Sequence, residues 1–107
     1  MPINVNELAA GLSEWGGEIV ARVAESKISV VRMSATGAAS DFDIHPHDEA
    51  ILVISGGITI DVQSVLIELG PGDFTEIKAG QRHRVVGSLG GTLMLFERSL
   101  VDKPGDC

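Results

Sequence analysis

A chain of 107 residues has the length of one ordinary domain and can bury a single core without disulfide staples. Its 44% apolar and 21% charged residues match globular usage and exclude bulk disorder. A formal charge of -7 argues against nucleic acid or an anionic membrane surface as partner, since both repel an acidic chain.

Taken in order, Asn6 is placed to cap a short helix over Glu7 to Leu12, closed by glycine and Ser13. Leu8 and Leu12, one turn apart, would lay that helix against a sheet edge. Trp15, Gly16 and Gly17 mark a turn. Strands are expected over Ile19–Val23 and Ile28–Met33, joined at Glu25-Ser26-Lys27, followed by a loop over Thr36 to Ser40. Further short strands are expected over Asp43–His47, Ala50–Ser55, Ile58–Val62, Val65–Leu69, Phe74–Ile77, His83–Val86 and Thr92–Arg98. Gly56-Gly57, Gln63-Ser64, Gly70 to Asp73, Ala79-Gly80 and Gly87 to Gly91 separate them as turns. Many short strands with 13 glycines placed mostly between them predict one all-β domain, a sandwich or barrel, over residues 1–107.

The chemistry concentrates in two segments. The three histidines, His45, His47 and His83, all lie within Asp43 to Glu49 or Gly72 to His83. Side chains two apart on a strand point to one face, so His45 and His47 would stand together. A third imidazole brought alongside makes a set of neutral nitrogen ligands suited to a divalent transition metal. Glu49 is the candidate fourth ligand. On a straight strand, at about 3.3 Å per residue, its Cα would lie roughly 13 Å from that of His45. Ligation by Glu49 therefore requires a bend around Pro46 to Asp48, which the proline makes credible.

These residues fall into a known pattern. His45-Pro46-His47, Glu49, six residues and Gly56 follow the first motif of the cupins, over about 43–57. Gly72, Lys78-Ala79-Gly80 and His83 follow the second, over about 72–87. The chain thus resembles a small single-domain cupin of the cupin 2 type. That resemblance implies a jelly-roll barrel, here with a short N-terminal helix, holding one divalent metal (Fe, Mn, Ni or Zn) on His45, His47, His83 and Glu49. Four positions depart from the pattern. Ala39 stands for the first glycine, Lys78 for the proline and Gly87 for the later asparagine. In the fourth, Asp48 alone separates His47 from Glu49, where the family usually has three or four residues.

Other residues read more simply. Asp48 and Asp73 suit turns or the rim, and Lys78, Arg82 and Arg84 suit a solvated edge. Phe42, Phe74, Phe96, Met33 and Met94 read as core. Thr92, Met94 and Phe96 share one face of the last strand and Leu93, Leu95 and Glu97 the other; Glu97 reads as a surface or interface charge, or as a base if its face looks inward. With one cysteine, Cys107, and no tyrosine, thiolate and tyrosyl chemistry have no support, and no intrachain disulfide can form. That fits a reducing cytoplasm. The N-terminus shows no signal-peptide pattern, and the longest apolar run, Ala50 to Ile54, is too short to cross a bilayer, so a cytoplasmic location is expected.

The expected function is that of a metal-binding cupin acting on a small organic molecule, with non-heme Fe(II) dioxygenation slightly favoured. The alternatives are a non-catalytic ligand-binding or sensory cupin, and a sugar-phosphate-isomerase-like cupin using Mn or Zn. Apolar residues at both parities of Ile19–Val23 and Ile28–Met33, together with the habit of cupins, lead to the expectation of a homodimer.

Overall fold

The structure, a computed structural model, describes residues 2–36 and 44–98. One helix, α1 (Val5–Ala10), precedes six strands: β1 (Gly17–Val23), β2 (Ser26–Met33), β3 (Glu49–Val62), β4 (Val65–Leu69), β5 (Phe74–Ile77) and β6 (His83–Arg98). The strands form one antiparallel sheet in the order β1-β2-β6-β3-β4, with β5 paired to β3. The helix begins two residues earlier than expected. Asn4, not Asn6, is its N-cap, with the side-chain oxygen accepting from the Glu7 N–H at 3.0 Å.

Two strands are much longer than the sequence suggested. Ala50–Ser55 and Ile58–Val62 belong to one strand, β3, and His83–Val86 and Thr92–Arg98 to another, β6. The glycines between them were expected as turns, yet they lie inside the paired ladder, Gly56 opposite Gly91 and Gly57 opposite Gly90. The register shifts at Val53/Ser55, at Gly57/Ile58 and again at Thr59/Ile60. Such bulges bend a strand and sharpen its twist. The buried set of β3 accordingly moves from odd positions (Glu49, Ile51, Val53) to even ones (Ile58, Ile60, Val62) across the glycines.

Only glycine fits at this corner. Gly56 has φ +74° and Gly91 φ +103°, and a Cβ on Gly56 would overlap the Gly90 carbonyl, on Gly91 the Ser55 carbonyl. The bent ladder wraps around a shared core. Ile51, Val53, Leu93 and Leu95 from one half pack with Ile58, Ile60, Val62 and Leu69 from the other, joined by Val31, Met33 and Ile77. Each such burial contributes about 1.5–3 kcal/mol.

The inward face of β6 is the one carrying Leu93, Leu95 and Glu97, all 3% exposed or less. Phe74, expected in the core, is 60% exposed, because on β5 the buried position is Ile77. Met33 is buried, Met94 and Phe96 half-buried, and Phe42 lies outside the described residues.

Candidate metal centre

The bend expected between His45 and Glu49 is present, and it replaces a strand. Residues 44–48 are irregular, with a bend at Pro46 and His47, and Asp43 lies outside the described residues. Two hydrogen bonds hold this segment to the turn before β6. The Gly80 N–H donates to the His45 carbonyl at 2.9 Å, and the Ala79 N–H to Asp48 Oδ1 at 2.8 Å. Asp48 is thus a rim residue that fixes the bend. The Ala79 N–H holds its carboxyl below the usual carboxylate range. Lys78 adds to this anchor, its ammonium 3.6 Å from Asp48 and 3.0 Å from Glu76, with its pKa raised chiefly by the hydrogen bond to Glu76. The Lys78 N–H also donates to Gln81 Oε1 at 2.8 Å, a bond that proline at this position would lack.

The turn carries His83 onto β6, where it pairs with Val62 at the far end of the ladder from Glu49. Because the ladder is folded at its glycines, the two ends meet. His83 Nε2 stands 2.9 Å from Glu49 Oε1, and both side chains are almost wholly buried. Ring atoms of His45 and His83 and a Glu49 oxygen all lie within 4.8 Å of one another. His83 Nδ1 is 3.1 Å from the Gln81 carbonyl. A carbonyl only accepts, so this contact needs a proton on Nδ1, and that tautomer leaves Nε2, beside Glu49, as the nitrogen able to ligate an ion.

His47 stands beside this trio. Its ring stacks on that of His45 at 5.3 Å, while the His45 and His83 rings are 5.2 Å apart. Its Nε2 lies 3.8 Å from Glu97 Oε2. Of the four residues singled out in the sequence, the structure brings three into one mutual group and places the fourth next to it.

Glu97 itself corrects the sequence reading. It is a buried charge, not a surface one, and its Oε1 lies 3.4 Å from the ammonium of Lys27. Lys27, expected at a turn, sits on β2 with no exposed surface. The register explains this. Lys27, Glu97, Glu49 and Ile77 are successive cross-strand partners on β2, β6, β3 and β5, forming one row across the inner face. The next row, Ser29, Leu95, Ile51 and Thr75, carries no charge. A single charged row therefore closes one end of the core. The available signal was the odd parity that Lys27 shares with Ser29, Val31 and Met33.

The donors suit a divalent cation. His45 Nε2 and both Glu49 oxygens are buried without a hydrogen-bond partner among the described residues. Buried polar atoms left in that state are costly unless something else meets them. Two donors bonded to one ion at about 2.1 Å sit roughly 3.0–3.4 Å apart. The 2.9 Å between His83 Nε2 and Glu49 Oε1 is close to that spacing.

Comparison with known proteins agrees with the barrel and the motifs. The Cupin_2 family, described as a cupin domain, matches residues 30–96. The chain belongs to the cupin domain family. Its fold is shared by a cupin-2 domain containing protein from Shewanella frigidimarina, at 20% identity over 91% of this chain and 94% of that one, with a TM-score of 0.79. It is also shared by hydroquinone 1,2-dioxygenase from Sphingomonas sp. TTNP3, solved with 4-hydroxybenzoate bound, at 17% identity, 92% and 74% coverage and a TM-score of 0.75. A mannose-6-phosphate isomerase-like protein from Ralstonia eutropha superposes at 19% identity, 92% and 98% coverage and a TM-score of 0.75. No curated protein matches the sequence. Among the described residues no helix is long and apolar enough to cross a membrane.

Proposed function

We propose that this cupin binds one divalent transition metal on His45, Glu49 and His83 and acts there on a small organic molecule, with Fe(II)-dependent oxidation as the favoured chemistry. The observation that carries the reading is the convergence of two imidazoles and a carboxylate, from segments more than thirty positions apart, within 4.8 Å in a buried setting. Two neutral nitrogens and one carboxylate leave coordination positions open, and an Fe(II) so held supplies oxygen activation, whereas Zn, Mn or Ni supplies Lewis acidity. A hydroquinone 1,2-dioxygenase shares the fold, which makes oxygenation a natural use of it without deciding the substrate.

The chain's own residues have distinct tasks in this scheme. The Gln81 carbonyl orients His83 so that Nε2 faces inward. Glu49 is fixed between β5 and β6, where Ile77 and Glu97 are its cross-strand partners. His45 is held by the Gly80 and Ala79 hydrogen bonds, which set the bend. Leu95 and Ile51 form the next row and keep water from the inner side of the site.

Untagged protein, analysed for metals after anaerobic loading with Fe(II), is expected to hold close to one ion per chain. Alanine at His45, Glu49 or His83 is expected to remove stoichiometric loading, and the loaded wild type to consume oxygen with at least one of a panel of diketones, thiols and catechols. Failure of the wild type to take up Fe, Mn, Ni, Zn or Cu would sink the reading, and oxygen silence across the panel would remove the oxidase part of it.

A further inference from the structure

The hairpin joining β3 to β4 turns on two residues, Gln63 and Ser64, between the paired Val62 and Val65. Both lie at positive φ, +49° and +72°. Two-residue hairpins of this kind favour asparagine followed by glycine, because a larger side chain is strained in the left-handed region. Neither residue is of that type here. Ser64 is steadied locally, its N–H donating to Asp61 Oδ1 at 2.8 Å. Gln63 reaches across to another segment instead. Its N–H donates to the Arg82 carbonyl at 2.9 Å, and its side-chain oxygen accepts from Gln81 Nε2 at 3.3 Å. The strained residue thus holds the two residues that lead into His83.

Gln81 is where that hold meets the site. Its Oε1 accepts from the Lys78 N–H at 2.8 Å and its own N–H donates to the Lys78 carbonyl at 3.1 Å, which closes the turn from both sides. A backbone N–H needs an acceptor, so the amide oxygen faces Lys78 and the amide nitrogen is left for Gln63. Glutamate could accept from Lys78 but could not donate to Gln63. Both imidazole ligands hang from the turn so closed. The Gly80 N–H holds the His45 carbonyl, and the Gln81 carbonyl lies 3.1 Å from His83 Nδ1.

We propose that Gln81, braced by the strained hairpin residue Gln63, is a positioning residue of the metal centre, its side-chain amide fixing the turn that places both His45 and His83. The inference rests on the metal reading of His45, Glu49 and His83. It assigns to Gln63 a conformation that costs stability and serves affinity, so the two properties part at this residue.

The test uses Gln81→Met, of similar length without the amide, and Gln63→Gly, which removes the backbone strain together with the brace. Zinc affinity is measured by competition with a chelating dye, the melting midpoint on metal-free protein, and ligand geometry by the visible bands of the Co(II)-loaded form. Gln81→Met is expected to bind zinc about tenfold more weakly, the scale of one lost hydrogen bond, with altered Co(II) bands. Gln63→Gly is expected to bind zinc severalfold more weakly while melting at or above the wild-type midpoint. Wild-type affinity and Co(II) bands in either folded variant would overturn the proposal, as would a lowered midpoint in Gln63→Gly. Gln63→Gly carries the test alone where Gln81→Met does not fold. A wild type that takes up neither zinc nor cobalt fails the metal reading, and the positioning role is then decided by NMR of the metal-free imidazoles. Gln81→Met is expected to move the ring signals of His45 and His83 and to leave the Trp15 indole in place, and unmoved ring signals would overturn it.

Discussion

Lys27 and Glu97 show how much a single pair can govern at the residue scale. Both side chains are out of water, so each charge is tolerated only because of the other. Removing one partner of such a pair costs about 3–5 kcal/mol, whereas replacing both with apolar groups of similar volume is close to neutral. Lys27→Met is therefore expected to lower stability by roughly that amount in urea denaturation, and Lys27→Met with Glu97→Leu to regain most of it. A single variant as stable as wild type would mean that the pair carries no charge. Neither residue was legible beforehand, because a lysine after Glu25-Ser26 reads as a turn and only the observed register sets it opposite Glu97.

Asp48 acts on the site from the rim, through the bend. Its folded carboxyl is lowered, so its stabilising effect is complete above the unfolded value near 3.9 and is lost as pH falls through the lower folded value. The anchor is thus constant from pH 5 to 8. Asp48→Ala is expected to weaken metal binding at least tenfold while shifting the melting temperature by only a few degrees, as read by competition with a chelating dye. Unchanged affinity would show that the bend holds without the Ala79 hydrogen bond.

At the scale of elements, the glycine corner of β3 and β6 decides whether the site exists. A methyl group at Gly56 or Gly91 would meet a carbonyl of the opposing strand, so Gly56→Ala or Gly91→Ala is expected to abolish the cooperative melting transition or lower its midpoint by more than 15 °C. Gly72→Ala is the control. Gly72 also has positive φ, but a Cβ there meets nothing within 4 Å, so the cost is the backbone term alone, about 1–2 kcal/mol. Circular dichroism melts of the three variants separate these outcomes. The sequence marked this corner correctly as punctuation and wrongly as turns. Glycine pairs end strands and bend them alike, and only the ladder running through Gly56–Gly91 and Gly57–Gly90 distinguishes the two. The alternation of Ile58, Ile60 and Val62 was visible in the sequence, whereas its continuity with Ile51 and Val53 was not.

For the whole molecule, the all-β class and the histidine cluster could be read directly, since the turn residues and His-x-His with a later His are local patterns. The closing distance between Glu49 and His83 could not be read, because it depends on how a long ladder bends. Ion binding by the folded form alone stabilises it by mass action, about 2.7 kcal/mol at a hundredfold excess over the dissociation constant. Zn loading is accordingly expected to raise the melting temperature of the wild type by several degrees and that of His83→Ala by none, in paired calorimetric scans. An equal rise in both would place the ion elsewhere.

Glu49 and His83 occupy opposite ends of the single antiparallel ladder between β3 and β6, which has a kinetic consequence. Non-local pairings of this kind form late and slowly, after a large entropic barrier has been crossed. An ion needing both ends finds no purchase on the open chain and cannot seed its collapse. Stopped-flow traces with and without zinc should then show the same refolding limb, with the unfolding limb alone slowed by the metal.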